Sequence, residues 1–121
     1  MIVQKYVENT MLYNNHKFHL RIHAVVTSWR PLTIWLMNDA RMIVCAEEYD
    51  LSNTTSQYKH ITNFIVNEQS PSFNPDNNTY GMNEIGDIID GIYGKDTFRG
   101  IIWKRIEAVT MLGMKANRDT M

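Results

Sequence analysis

The eleven residues VVTSWRPLTIW, 25 to 35, set two β-rich runs on either side of a polar corner holding Arg30 and Pro31. A corner this short restricts the fold, because it joins antiparallel neighbours, whereas parallel strands need a crossover of about a dozen residues or more. Upstream, KFHLRIHAVVTSW alternates, with Phe18, Leu20 and Ile22 on one face and Lys17, His19, Arg21 and His23 on the other. The spacing predicts a strand with a buried apolar face and a basic polar face. MIVQKYVE reads as a further strand. LTIWLMN and ARMIVCAEEY read as two more, parted by a turn at Asn38 and Asp39. Together these predict an antiparallel meander over residues 2 to 49.

From Asp50 to Gly81 the composition shifts to Asn, Ser, Thr and Pro around the segment YKHITNFIVN, which predicts a long surface excursion. Excursions of that length inside a compact domain are usually functional or disordered. Apolar residues then recur at helical spacing in MNEIGDIIDGIY and FRGIIWKRIEAVTMLGMKAN, with Ile102, Ile106 and Val109 along one stripe. These predict helices near 82 to 92 and 101 to 117. The fold class is α+β, an antiparallel sheet followed by helices.

With 121 residues the chain holds one domain at most, and its net charge of −1 supplies no global field for nucleic acid or anionic lipid. Its single cysteine, Cys45, excludes an internal disulfide or a multi-cysteine zinc site and fits a reducing cytosol. No apolar run reaches membrane-spanning length, and the first residues lack a signal-peptide plan. We therefore expect neither a nucleic-acid nor a membrane partner, and read the sequons at Asn53 and Asn77 as unused. The final helical pattern reaches the chain end without a capping sequence, as expected of a segment of a larger domain.

Three groups of residues can carry chemistry. Lys17, His19 and Arg21 repeat at two-residue spacing, roughly 7 Å apart, and could hold a polyphosphate or a carboxylate. The pattern also fits a solvated strand face. His60, Thr62 and Asn63 could form a hydrogen-bonding platform or merely cap local backbone. Lys5, in QKYVE, could frame a flat ring beside an aromatic residue or be an ordinary exposed lysine. Cys45 follows an apolar run and reads as packing. GIYGKDT has the wrong glycine spacing for a phosphate loop and follows a helical pattern.

Taken in order, QKYVENTML, KFHLR, VVTSWRPLTIW, AEEYDLSN and HITNFIVN resemble the consecutive motifs of the tubulin tyrosine ligase-like family over roughly residues 2 to 70. The resemblance implies a partial ATP-grasp domain, with residues 1–121 as its central part and further segments on both sides. It implies an ATP-dependent ligase that joins an amino acid to a carboxylate on tubulin C-terminal tails through an acyl-phosphate, with ATP and magnesium as cofactors. The magnesium ligands and a glycine-rich phosphate loop are expected outside this chain, so none of its residues is assigned to metal. Gln4, Lys5, Tyr6 and Val7 match the segment around the adenine. Lys17 and Arg21 match the basic strand facing the phosphates and the incoming amino acid, and carry the catalytic assignment. His60, Thr62 and Asn63 match the substrate-side motif.

This chain departs from the family pattern at His19, where an aspartate is usual, at Ile43, which aligns with a family arginine, and at Glu68, where a lysine is usual. Val66 and Asn67 fit the ending of glutamate-adding members, while TSWRPLTIW resembles glycine-adding ones. The preferred expectation is glutamylation. The alternatives are a glycine-adding ligase, a non-catalytic tubulin-binding paralogue, and an inactive fragment. Free amino acid and microtubules are the implied partners, and cytoplasm, cytoskeleton and cilium or flagellum the implied location.

Overall fold

The computed structural model of the chain describes residues 1–118 and Thr120. It is α+β: the strands β1 (Leu12–Tyr13), β2 (His16–Trp29), β3 (Leu32–Val44) and β4 (Thr79–Tyr80) pair in the order β1-β2-β3-β4, and the long helices come last. Where register is defined the pairing is antiparallel, Tyr13 opposite His16 and Met42 opposite Tyr80. The β1–β2 turn is Asn14-Asn15, both with positive φ (48° and 65°), a backbone that asparagine tolerates and that matches the twist of a two-residue hairpin. Arg30 and Pro31 form the β2–β3 corner, as the sequence implies, through a cis peptide bond.

Two expected strand features differ. Residues 1 to 11, including MIVQKYVE, form no strand and pair with none among the described residues; Met1 to Asn9 are exposed. Asn38 and Asp39 make no turn, and β3 runs straight through them. Asn38 is instead held in the strand by Arg99, whose Nη1 donates to Asn38 Oδ1 at 2.6 Å.

The chain divides into two compact units. The first comprises Met1–Leu20 and Met42–Tyr80. Its core is the end of β3 with Cys45 and Ala46, a continuous apolar run of which each residue from Met42 to Ala46 is at most 5% exposed. Phe18 and Leu20 are only half-buried, as are Lys17 and His19 opposite them. The expected contrast between faces is lost because Tyr6 covers Lys17 and Thr62 covers His19. The Asn-rich excursion is also less of a surface loop than its composition suggests. It holds α1 (Gln57–His60), α2 (Phe64–Asn67) and α3 (Pro75–Asn78) and buries Asn67, Ser70 and Asn78. Asn78 Nδ2 donates to the carbonyls of Val44 and Cys45 at 3.2 and 3.1 Å, which satisfies a polar side chain otherwise expensive to bury. The Asp76–Asn78 pair, the one Asp-x-Asn of the sequence, is accordingly structural on its asparagine side.

The second unit comprises Arg21–Arg41 and the residues from Gly81 onward. Here α4 (Met82–Tyr93) buries Ile85 and Ile89, one turn apart, and ends at Gly94, whose φ of 109° favours glycine. A π-helix, Phe98–Trp103, leads into α5 (Lys104–Arg118). Asp90 fixes the joint: its carboxylate accepts from the backbone N–H groups of Asp96 (3.1 Å) and Phe98 (2.8 Å). The covered stripe of the last helices is Trp103, Ile106 and Thr110, while Val109, expected on it, is 69% exposed. That stripe keeps the three- and four-residue spacing of a helix but starts from a different residue.

Candidate functional site

In the first unit a hydrogen-bonded chain of side chains forms around Tyr6. The start of β2 presents Lys17, whose Nζ donates to the Tyr6 hydroxyl at 3.1 Å and lies 4.6 Å from its ring centroid. Tyr6 Oη lies 2.8 Å from His60 Nδ1, and His60 Nε2 lies 2.7 Å from the Asn53 carbonyl. An ammonium only donates and a carbonyl only accepts, so the directions are fixed for the neutral ring: Tyr6 donates to Nδ1, and Nε2–H donates to Asn53. Edge-on ring contacts reinforce the chain, Tyr6 to His60 at 5.8 Å and Tyr49 to His60 at 5.4 Å. The Tyr49 hydroxyl donates to the Glu8 carbonyl at 2.7 Å. Desolvation pushes the Tyr49 phenol above its usual range, and the adjacent Tyr6 hydroxyl adds to the effect. Tyr6 and His60 also line a cavity of about 440 Å³ with Glu8, Leu51 and Thr54.

The motif around His60 divides its duties. Thr62 Oγ1 lies 2.5 Å from His19 Nδ1, so His19 is engaged with the motif itself. Asn63 caps α2, its Oδ1 accepting from the Val66 N–H at 3.3 Å, which is the local role its residue type also allowed. Asn67, matched above to a specificity feature, is fully buried. Its Oδ1 accepts from the Ala46 N–H at 2.8 Å, and its Nδ2 donates to the carbonyls of Ile61 and Asn63 at 2.7 and 2.8 Å. It therefore fastens the His60-to-Asn63 turn to the end of the core strand. Gln4, Lys5 and Val7 are exposed along the extended segment beside Tyr6.

In the second unit Arg21, His23, Asp39, Ala40 and Arg41 line a cavity of about 260 Å³. Two arginines and a histidine share this lining with one aspartate, residue types suited to binding a carboxylate or other anion. Arg41 escaped the sequence reading, which gave the arginine position to Ile43. The structure buries Ile43 to 1% exposure, and the exposed cation beside Arg21 is Arg41. Alternation would have found it: Asp39 and Arg41 are exposed while Ala40 and Met42 are buried, a pattern hidden by placing a turn at Asn38-Asp39.

Among the described residues no three His, Cys, Asp or Glu side chains come together as a metal site. Residues 4–7 are exposed, and the Lys17 ammonium has donor capacity beyond its bond to Tyr6. No helix among the described residues is long and apolar enough to cross a membrane.

These features describe an α+β protein with a cavity lined by Arg21, His23, Asp39 and Arg41 and a Lys-Tyr-His chain beside an exposed segment. The tubulin-tyrosine ligase family profile matches residues 1–119, and the chain belongs to that family. It is 30% identical over 118 residues to a human protein described as "Probable tubulin polyglutamylase TTLL2", covering 95% of this chain and 20% of that protein. It is 28% identical to tubulin glycylase 3D of Tetrahymena thermophila, covering 100% of this chain and 12% of that protein. To human tubulin polyglutamylase TTLL7 it is 40% identical over 79 residues, 63% of this chain and 9% of that protein. The chain thus spans at most a fifth of the length of these relatives.

Proposed function

We propose that this chain is the nucleotide- and amino-acid-binding middle part of an ATP-dependent ligase that adds glutamate to the acidic C-terminal tails of tubulin. The membership of the family and its polyglutamylase and glycylase relatives support the reaction class. ATP, when bound, supplies the phosphoryl group that activates the acceptor carboxylate as an acyl-phosphate. The backbone of residues 4–7 and Lys17 hold the nucleotide, and Arg21 with Arg41 holds the carboxylate of the incoming amino acid. A phosphoryl transfer onto a carboxylate brings two anions together, so fixed cations supply most of what a protein can contribute.

The observation that carries the choice of glutamate over glycine is the composition of the Arg21 cavity, where His23 joins two arginines against Asp39 alone. A second carboxylate on the amino acid gains from a third cationic or donor group, and glycine has none to offer. Acting on microtubules, the protein works in the cytoplasm, at the cytoskeleton or in cilia or flagella. The test is competition: with ATP, a tubulin-tail peptide and equal labelled glutamate and glycine, glutamate incorporation should dominate. Equal or preferential glycine incorporation would refute the assignment.

One observation favours a second reading, a non-catalytic tubulin-binding paralogue. His19 brings an imidazole to the place of a family carboxylate, and its ring is already committed to Thr62. Binding of tubulin tails without amino acid incorporation under the same conditions would establish that reading.

A further inference from the structure

The segment proposed to carry the adenine has no strand ladder among the described residues, and yet its backbone must be placed to within a fraction of an ångström for edge contacts to form. What fastens it are side chains: the Tyr6 hydroxyl on Lys17 and His60, and the Glu8 carbonyl on Tyr49. His60 is the hub. Its ring touches both tyrosines, its Nδ1 accepts from Tyr6, and its Nε2–H is anchored on the Asn53 carbonyl. Both ring nitrogens are thereby used inside the protein, which leaves the neutral ring no polar atom for a substrate.

We infer that His60 is a positioning residue for the nucleotide, acting through Tyr6 to hold Gln4–Val7 in place, and not a substrate contact. This rests on the reading that residues 4–7 carry the adenine. The arrangement resembles a latch with two bolts that meet at the His60 ring, Tyr6 on His60 and Glu8 on Tyr49. Breaking the first should loosen residues 4–7 while the second still retains the segment near Glu8.

The test compares wild-type protein with His60→Ala, Tyr6→Phe, the double variant and His60→Asn, whose side-chain oxygen can take the place of Nδ1. Amide exchange over residues 4–7 should rise several-fold in His60→Ala and Tyr6→Phe, no further in the double variant than in Tyr6→Phe, and little in His60→Asn. In ligase assays the KM for ATP should rise about five- to tenfold in His60→Ala, the scale of one lost hydrogen bond, and at least as much in Tyr6→Phe, which also loses the bond from Lys17, with the KM for glutamate unchanged in both. Unchanged exchange in a wild-type-active protein overturns this inference alone. A raised KM for glutamate with the KM for ATP unaltered also overturns it and makes His60 a substrate contact. Wild-type protein lacking ATP-dependent ligation overturns the function proposed above and this inference with it.

Discussion

Asn67→Leu should be among the most damaging single changes in the first unit although it adds apolar surface to a buried position. Asn67 is 0% exposed, and its amide makes three hydrogen bonds, all to backbone: from Ala46 N–H and to the carbonyls of Ile61 and Asn63. Leucine has the same branched outline, with bulkier methyl groups, but returns none of them. The Asn63 carbonyl keeps a partner in the Asn67 N–H at 3.1 Å, so the change strands chiefly the Ala46 donor and the Ile61 acceptor. A buried polar group left without a partner costs about 1–3 kcal/mol, so the two together cost about 3 kcal/mol after some relaxation and apolar gain. At an unfolding entropy of about 2 cal/mol/K per residue, a chain this long should lose roughly 12 °C in Tm. Differential scanning calorimetry of wild type and variant reads this directly. Because the amide also ties the His60-to-Asn63 turn to Ala46, exchange at Ile61 to Asn63 should rise. A Tm change below about 3 °C would mean that the network does not hold the turn, and the structural assignment of Asn67 would fall.

Burial raises the Cys45 thiol from 9.0 to about 11, with Lys17 opposing, so the folded chain keeps a proton that the unfolded chain sheds first. Its contribution to stability is complete below about pH 9 and is lost as pH climbs to about 11; denaturant titrations should show this slope flattened in Cys45→Ala. His19→Asp should raise ligase turnover ten- to a hundredfold, since a carboxylate can accept from Thr62 and places a negative charge on the strand that carries Lys17; unchanged or lower turnover would make His19 part of a working site. Arg41→Ala should raise the KM for the amino acid more than tenfold while leaving that for ATP unchanged. Gly100→Ala should change stability by less than about 1 kcal/mol, because its new Cβ meets the far end of the exposed Asp96 side chain, which can swing aside, and alanine favours a helix; a Tm loss of many degrees would show that Asp96 is held in place.

Local signals of the fold were readable where one physical effect dominated. The Arg30-Pro31 corner and the stripe of α4 each follow from turn chemistry or period alone, and the helices at the end appear close to where the spacing places them. The N-terminal segment failed because β-rich composition does not supply a pairing partner. The break at Asn38-Asp39 failed because a tertiary hydrogen bond from Arg99 overrode a weak turn preference. Burial of Asn67 and Asn78 could not be read from composition, since an asparagine that satisfies backbone groups and one that faces water look alike in sequence. At the site, the motifs pointed to Lys17, Arg21 and His60, but Arg41 and Tyr49 required the register of β3 and the path of the segment before β1.

The central claim is best tested by one measurement: incorporation of labelled glutamate into a tubulin-tail peptide by the native protein, with and without ATP, beside Lys17→Ala. The account predicts incorporation that requires ATP and falls at least a hundredfold in the variant, since a positioned cation facing the phosphates contributes on the order of a few kcal/mol to such a transfer. Incorporation independent of ATP, or undiminished in Lys17→Ala, would contradict it.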